Sequence, residues 1–125
     1  MKSYTDIEQS RKLAEILPIE SADMFWANAP ITVPCIKDGN PMGVNIPCWS
    51  LAALLNFLPP YLFEFDRGID LNIYPHLNGK SWHCSYMPNC IENMKTDKFR
   101  LMTSENSLVD ACYEMILKLN EFKML

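Results

Sequence analysis

Residues Asp70 to Met87 read DLNIYPHL, then Asn78-Gly79, then KSWHCSYM, and no other stretch of the chain constrains its fold as tightly. Asn-Gly between two alternating runs is the strongest short-range hairpin signal, because a type I′ turn needs positive φ at both central residues. Such a turn sets the register, with Leu77 opposite Lys80, Tyr74 opposite His83 and Ile73 opposite Cys84. Successive strand residues point to opposite faces. Leu71, Ile73, Trp82, Cys84 and Tyr86 therefore share one face, and Asn72, Tyr74, His76, Ser81, His83 and Ser85 the other. The first set is apolar and reads as core, the second as an outer face.

At 125 residues the chain has the usual size of one domain. A chain of that length buries roughly two-thirds of its surface on folding. Because 49% of its residues are hydrophobic, it needs neither a disulfide nor a metal to build a core. The net charge of −4, from 11 basic and 15 acidic residues, argues against nucleic acid as a partner. Lys95, Lys98 and Arg100 form the one small basic group, which reads as the solvated flank of a loop. Cys35, Cys48, Cys84, Cys90 and Cys112 are odd in number and lack CxxC spacing, unlike a secreted disulfide scaffold. MKSYTDIEQSRK has no apolar run, so no signal peptide is expected. No 18 consecutive apolar residues occur, so no membrane span is expected either. These features predict a soluble cytoplasmic protein.

Thr5-x-x-Glu8 has the form of a capping box, and Ile7, Leu13, Ala14, Ile16 and Leu17 make an apolar stripe that ends before Pro18. Ala22 to Ala27 suits a strand, as does Ile31 to Ile36, which Pro30 and Pro34 assign to an edge or a loop. The run IPCWSLAALLNFLPP predicts a buried helix starting near Pro47 and stopped by Pro59-Pro60. Tyr61 to Phe65 is a short strand or a turn, and Phe99 to Thr103 a third strand beside the hairpin. Ser107 caps a last helix, with Asp110 as its box partner and Leu108, Cys112, Met115, Leu119 and Phe122 as its stripe. The expected architecture is a single α+β domain over residues 1–125, in the order α-β-β-α-β-β-β-α. Its antiparallel sheet has three to five strands packed with three helices.

The segments SYTDIEQSRKLAEILPIESADMFW, IPCWSLAALLNFLP and SLVDACYEMILKLNEFKML, taken together, resemble a family of small uncharacterised proteins of gut Bacteroidetes, carried on prophages or conjugative elements. They cover somewhat under half of the chain. Members often have Asn-Pro where this chain has Ser107-Leu108. The second half is also similar, less specifically, to phage α/β/α sandwich domains. The resemblance implies a mobile-element setting and carries no catalytic residues with it.

The residues themselves offer several chemistries. His76, His83, Cys84 and Cys90 lie close in sequence, but the hairpin register turns Cys84 away from the histidines. Fewer ligands remain than the four a structural zinc takes, so no metal is expected. Cys84 and Cys112 fall on core faces; Cys48 lies near a helix start whose dipole lowers a thiol pKa, but no base can be assigned to it. The roles of Cys35, Cys48 and Cys90 are not set by the sequence. Glu64, Asp66 and Asp70 read as a solvated strand edge. GxGxxG, GxxxxGK[ST] and GxSxG are absent, and no cofactor is expected. Tyr74, His76 and His83 on the outer face form a candidate contact patch. The expected function is that of a non-enzymatic accessory protein of a phage or mobile element, binding a host or element protein, or pairing as a homodimer. The alternative is a small enzyme or ligand-binding protein with a pocket between the central helix and the sheet.

Overall fold

A computed structural model describes residues 2–29, 31–36, 46–64, 67–88 and 101–125. The chain forms two compact units, Met1–Phe57 and Leu58–Leu125. The α+β class is as expected, with the strands shared between two antiparallel sheets, one of three strands and one of four.

The first unit opens with an extended segment hydrogen-bonded to a later one: Thr5 N–H to Trp49 C=O (2.9 Å) and Leu51 N–H to Ser3 C=O (2.9 Å). Helix α1 follows at Ile7–Ala14. Its capping box is Asp6 with Gln9, one residue beyond the expected Thr5 and Glu8: Asp6 Oδ1 accepts the Gln9 N–H (2.8 Å) and Gln9 Oε1 the Asp6 N–H (3.1 Å). Thr5 is unavailable as a cap because its buried hydroxyl shares a 2.8 Å hydrogen bond with Ser10 Oγ and accepts the Trp49 N–H.

A 3-10 turn at Ile19–Ser21 leads into β1, Met24–Ala29. This strand is flanked by β2, Ile31–Ile36, and β3, Ile46–Cys48, giving the order β2-β1-β3. The proline-bearing β2 is thus an edge strand, as its sequence requires. The segment around Pro47, expected to begin a helix, is instead strand, with Pro47 opposite Phe25. Helix α2 starts only at Leu51 and runs to Phe57. It is buried on one side, at Ala53 and Leu54, while Ala52 and Leu55 are exposed. The expected buried helix is thus only partly found: the remaining residues of α2 are half-buried or exposed. Leu13, Leu17, Ala22, Cys48, Trp49, Ala53 and Leu54 are the buried apolar side chains among the described residues of this unit.

The second unit is a four-stranded meander: β4 (Tyr61–Glu64), β5 (Arg67–Pro75), β6 (Trp82–Pro88) and β7 (Leu101–Glu105), neighbours in that order. Tyr74 pairs with His83 and Ile73 with Cys84, as the hairpin sequence requires. Across the next ladder, Cys84 meets Thr103 and Ser85 meets Met102. The turn differs from expectation. The ladder ends at Pro75 and Trp82, so Leu77 and Lys80 lie in the loop. His76 N–H bonds Ser81 C=O (2.8 Å), and Gly79 N–H bonds His76 C=O (2.9 Å). Gly79 alone has positive φ (+70°), whereas a type I′ turn needs two such residues. Asn78 spends its side chain instead on the Lys80 N–H (2.8 Å), an Asx turn that holds the wider loop. Pro75 is tolerated for a related reason. His76 N–H points to β6 while Leu71 N–H bonds Pro60 C=O (2.9 Å) on the β4 side. Position 75 faces that second side, past the end of the β4 pairing, so its missing N–H breaks no ladder bond.

Helix α3, Leu108–Glu121, begins with Ser107 Oγ accepting the Asp110 N–H (3.0 Å) and packs on β6 and β7. Val109, Ala111, Cys112, Met115, Ile116 and Leu119 are its buried residues. Phe122, expected to extend the stripe, is 56% exposed, because the helix has ended and residue 122 is its C-cap.

Candidate functional site

β6 is an inner strand, so its two faces meet different surroundings. Toward α3 it presents Cys84 and Tyr86, both 0% exposed. The Tyr86 hydroxyl donates to Pro59 C=O (2.6 Å), and burial pushes its pKa up. Cys112 on α3 is likewise 0% exposed, and the neighbouring Cys112 thiol together with burial pushes the Cys84 pKa up.

The opposite face carries the candidate patch, and the three residues chosen for it do come together. The His83 ring lies 5.0 Å from the Tyr74 ring and 4.8 Å from the His76 ring, centroid to centroid. His76 is oriented by the turn, since the Asn78 N–H donates to its Nδ1 (3.2 Å). That bond places the imidazole proton on Nε2 of neutral His76, leaving neither nitrogen with a free lone pair for a metal. Among the described residues, no three His, Cys, Asp or Glu side chains are grouped to hold an ion.

β7 extends this face with Met102 opposite Ser85 and Ser104 opposite His83. Tyr74 is 41% and Met102 43% exposed, yet Ser85 between them is 0% exposed. Its hydroxyl and His83 Nδ1 are enclosed without a hydrogen-bond partner. Sequence alternation put Ser85 on this face but gave no sign of its enclosure. Met102 was missed as a member because the pairing that places it depends on the β6–β7 register.

Other candidates fall away from this face. Cys48, in β3, is 0% exposed, and its thiol donates to Thr5 C=O (3.4 Å). Burial, the largest influence, raises its pKa, so the expected helix-dipole activation does not operate. Asp70 is exposed; Asp66 and Cys90, the basic group of Lys95, Lys98 and Arg100, and the side chains of Cys35 and Glu64 lie outside the described residues. The first unit holds an open cleft of about 360 Å³, lined by Glu20, Ser21, Asp23, Ala53, Asn56 and Phe57 among others. Asp23 is committed to structure there, its carboxylate accepting both the Ser50 N–H (2.9 Å) and the Ser50 hydroxyl. Ser50 in turn accepts the Ala53 N–H (3.2 Å) and so caps α2.

No helix among the described residues is long and apolar enough to cross a membrane. No family model, curated protein or solved structure matches the chain.

Proposed function

We propose that this protein acts by binding another protein through the outer face of β5, β6 and β7, as a non-enzymatic accessory factor of a phage or mobile element. The observation that carries the reading is the cluster of Tyr74, His76 and His83 rings on that face, at centroid distances of 5.0 and 4.8 Å, beside the exposed Met102. Aromatic rings and methionine are enriched in the contact area of interfaces. The mobile-element setting rests on the sequence resemblance.

A photo-crosslinking residue at position 74, introduced in the native host, is the direct test. One partner joined through position 74, and lost when Met102→Arg is added, is the expected result. Crosslinks that survive Met102→Arg unchanged would refute the face. A product made only of this chain identifies the partner as a second copy.

The ligand-binding alternative has its own observation, the cleft beside α2. Of its two carboxylates, Asp23 is spent on holding Ser50, which caps α2, and Glu20 remains, while Cys48 is not among the lining residues. Titration with small primary amines, followed by chemical-shift changes at Ala53 and Asn56, distinguishes this reading from the first.

A further inference from the structure

The cleft of about 360 Å³ belongs to the first unit and shares no residue with the binding face. Its volume falls within the range of small-molecule sites. Alanine at positions 22, 52 and 53 makes part of its lining low and apolar, beside the half-buried ring of Phe57. The polar part of the lining is one-sided. Ser21 donates its hydroxyl proton to Pro18 C=O (2.6 Å) and accepts the Trp49 Nε1–H (3.0 Å), so a lone pair is all it has left to offer. Asp23 accepts the Ser50 N–H (2.9 Å) and the Ser50 hydroxyl. Those bonds fill two of the roughly four acceptor sites of a carboxylate and hold the group in place without removing its charge. Glu20 adds a second, exposed carboxylate. Lys, Arg and His are all missing from the lining. An anion entering the cleft would meet like charge, and a pure acceptor would find Ser21, Asp23 and Glu20 without a proton to give. The lining asks for positive charge and hydrogen-bond donors together.

We propose that the cleft beside α2 binds a small organic cation, a primary ammonium with an apolar body. An ammonium group brings three N–H donors and no acceptor, the complement of the Ser21, Asp23 and Glu20 oxygens. Its hydrocarbon part covers the alanines, and the Phe57 ring is a surface that attracts cations as well as apolar groups. Asp23 is fixed before the ligand arrives, which lowers the ordering cost of binding, whereas Glu20 closes on the ligand from outside. The assignment builds on the ligand-binding reading of this cleft and is independent of the outer face of the second unit.

The test titrates the isotope-labelled full chain with n-butylammonium chloride at constant ionic strength and follows amide chemical shifts. Shifts at Ala53 and Asn56 should saturate with a Kd of about 1–10 mM, the affinity expected of so small a ligand, while His83 and Ser85 stay unmoved. Tetramethylammonium carries the charge without N–H donors, butyrate the chain with the opposite charge, and n-butanol the chain without charge. Each should bind at least ten-fold more weakly. Glu20→Gln, at an exposed position, should weaken butylammonium about three-fold. Saturation by butyrate or butanol without butylammonium overturns the cation and leaves the cleft a ligand site. Saturation by none of the four overturns the ligand-binding reading with it. Equal affinity for tetramethylammonium, or an unchanged Kd in Glu20→Gln, overturns the proposal as well.

Discussion

Ser85→Ala is the substitution whose outcome follows most directly from the structure, and its sign runs against habit. Removing a buried hydroxyl normally destabilises, because a hydrogen bond is lost and its partner is stranded. Ser85 is 0% exposed and its hydroxyl has no partner, so neither loss applies. The desolvation cost of that hydroxyl, about 1–3 kcal/mol, disappears. Against it stand the dispersion contacts of one oxygen, at about 0.1–0.2 kcal/mol per atom pair, or roughly 0.5 kcal/mol in all. The free protein should therefore gain about 0.5–2.5 kcal/mol, with a rise in Tm of about 3–5 °C per kcal/mol for a chain of this size. Urea denaturation followed by tryptophan fluorescence and circular dichroism measures it, with Trp82 reporting from the same strand as Ser85. Stability lowered by more than about 0.5 kcal/mol would show the hydroxyl already bonded in the free protein and refute the reasoning.

Gly79→Ala should cost about 1–2 kcal/mol in thermal or urea unfolding. The added methyl meets nothing within 4 Å, so the cost is the strain of φ +70° alone, and an unchanged Tm would contradict the turn. Asp23→Ala strips Ser50 of two hydrogen bonds and should remove about 1–2 kcal/mol, with faster amide exchange through α2; unaltered exchange at Ala53 would count against that cap. Glu114 gives a pH dependence. Partial burial, then the charges of Glu105 and Asp110 against the opposing pull of Lys118, raises its pKa in the fold. A carboxylate raised on folding binds its proton more tightly folded than unfolded. Its stabilisation is complete below the ordinary pKa of about 4.3 and is lost as pH rises through the raised value. Glu114→Gln should then stabilise at pH 7 and make little difference near pH 3.5; destabilisation at pH 7 would show that the Lys118 attraction wins.

How far the sequence reached depended on whether a feature is local. Alternation and Asn78-Gly79 specified the Tyr74–His83 pairing and therefore brought Tyr74, His76 and His83 together. The turn type was not legible, because Asn78 Oδ1 takes the Lys80 N–H that a type I′ turn gives to Leu77 C=O, and His76 Nδ1 takes the Asn78 N–H. Proline and leucine content misplaced the start of α2, because Pro47 and Cys48 pair with β1 through contacts far apart in sequence. Thr5 was mistaken for the α1 cap for the same reason, its hydroxyl being held by Trp49. The enclosure of Ser85 and the burial of Cys84 depend on neighbours across a ladder and a helix interface. A one-dimensional pattern gives the direction of a side chain, not what lies over it.

Cys84 and Ser85 are consecutive residues, and they show how differently one strand can treat its two faces. Inward, Cys84 is fully buried, while the Thr103 hydroxyl bonds the backbone of α3. Outward, the Ser85 hydroxyl and His83 Nδ1 are shielded from water without being bonded. Enclosure without satisfaction is tolerated on one face because the other is complete, with α3 seated on β6 and β7.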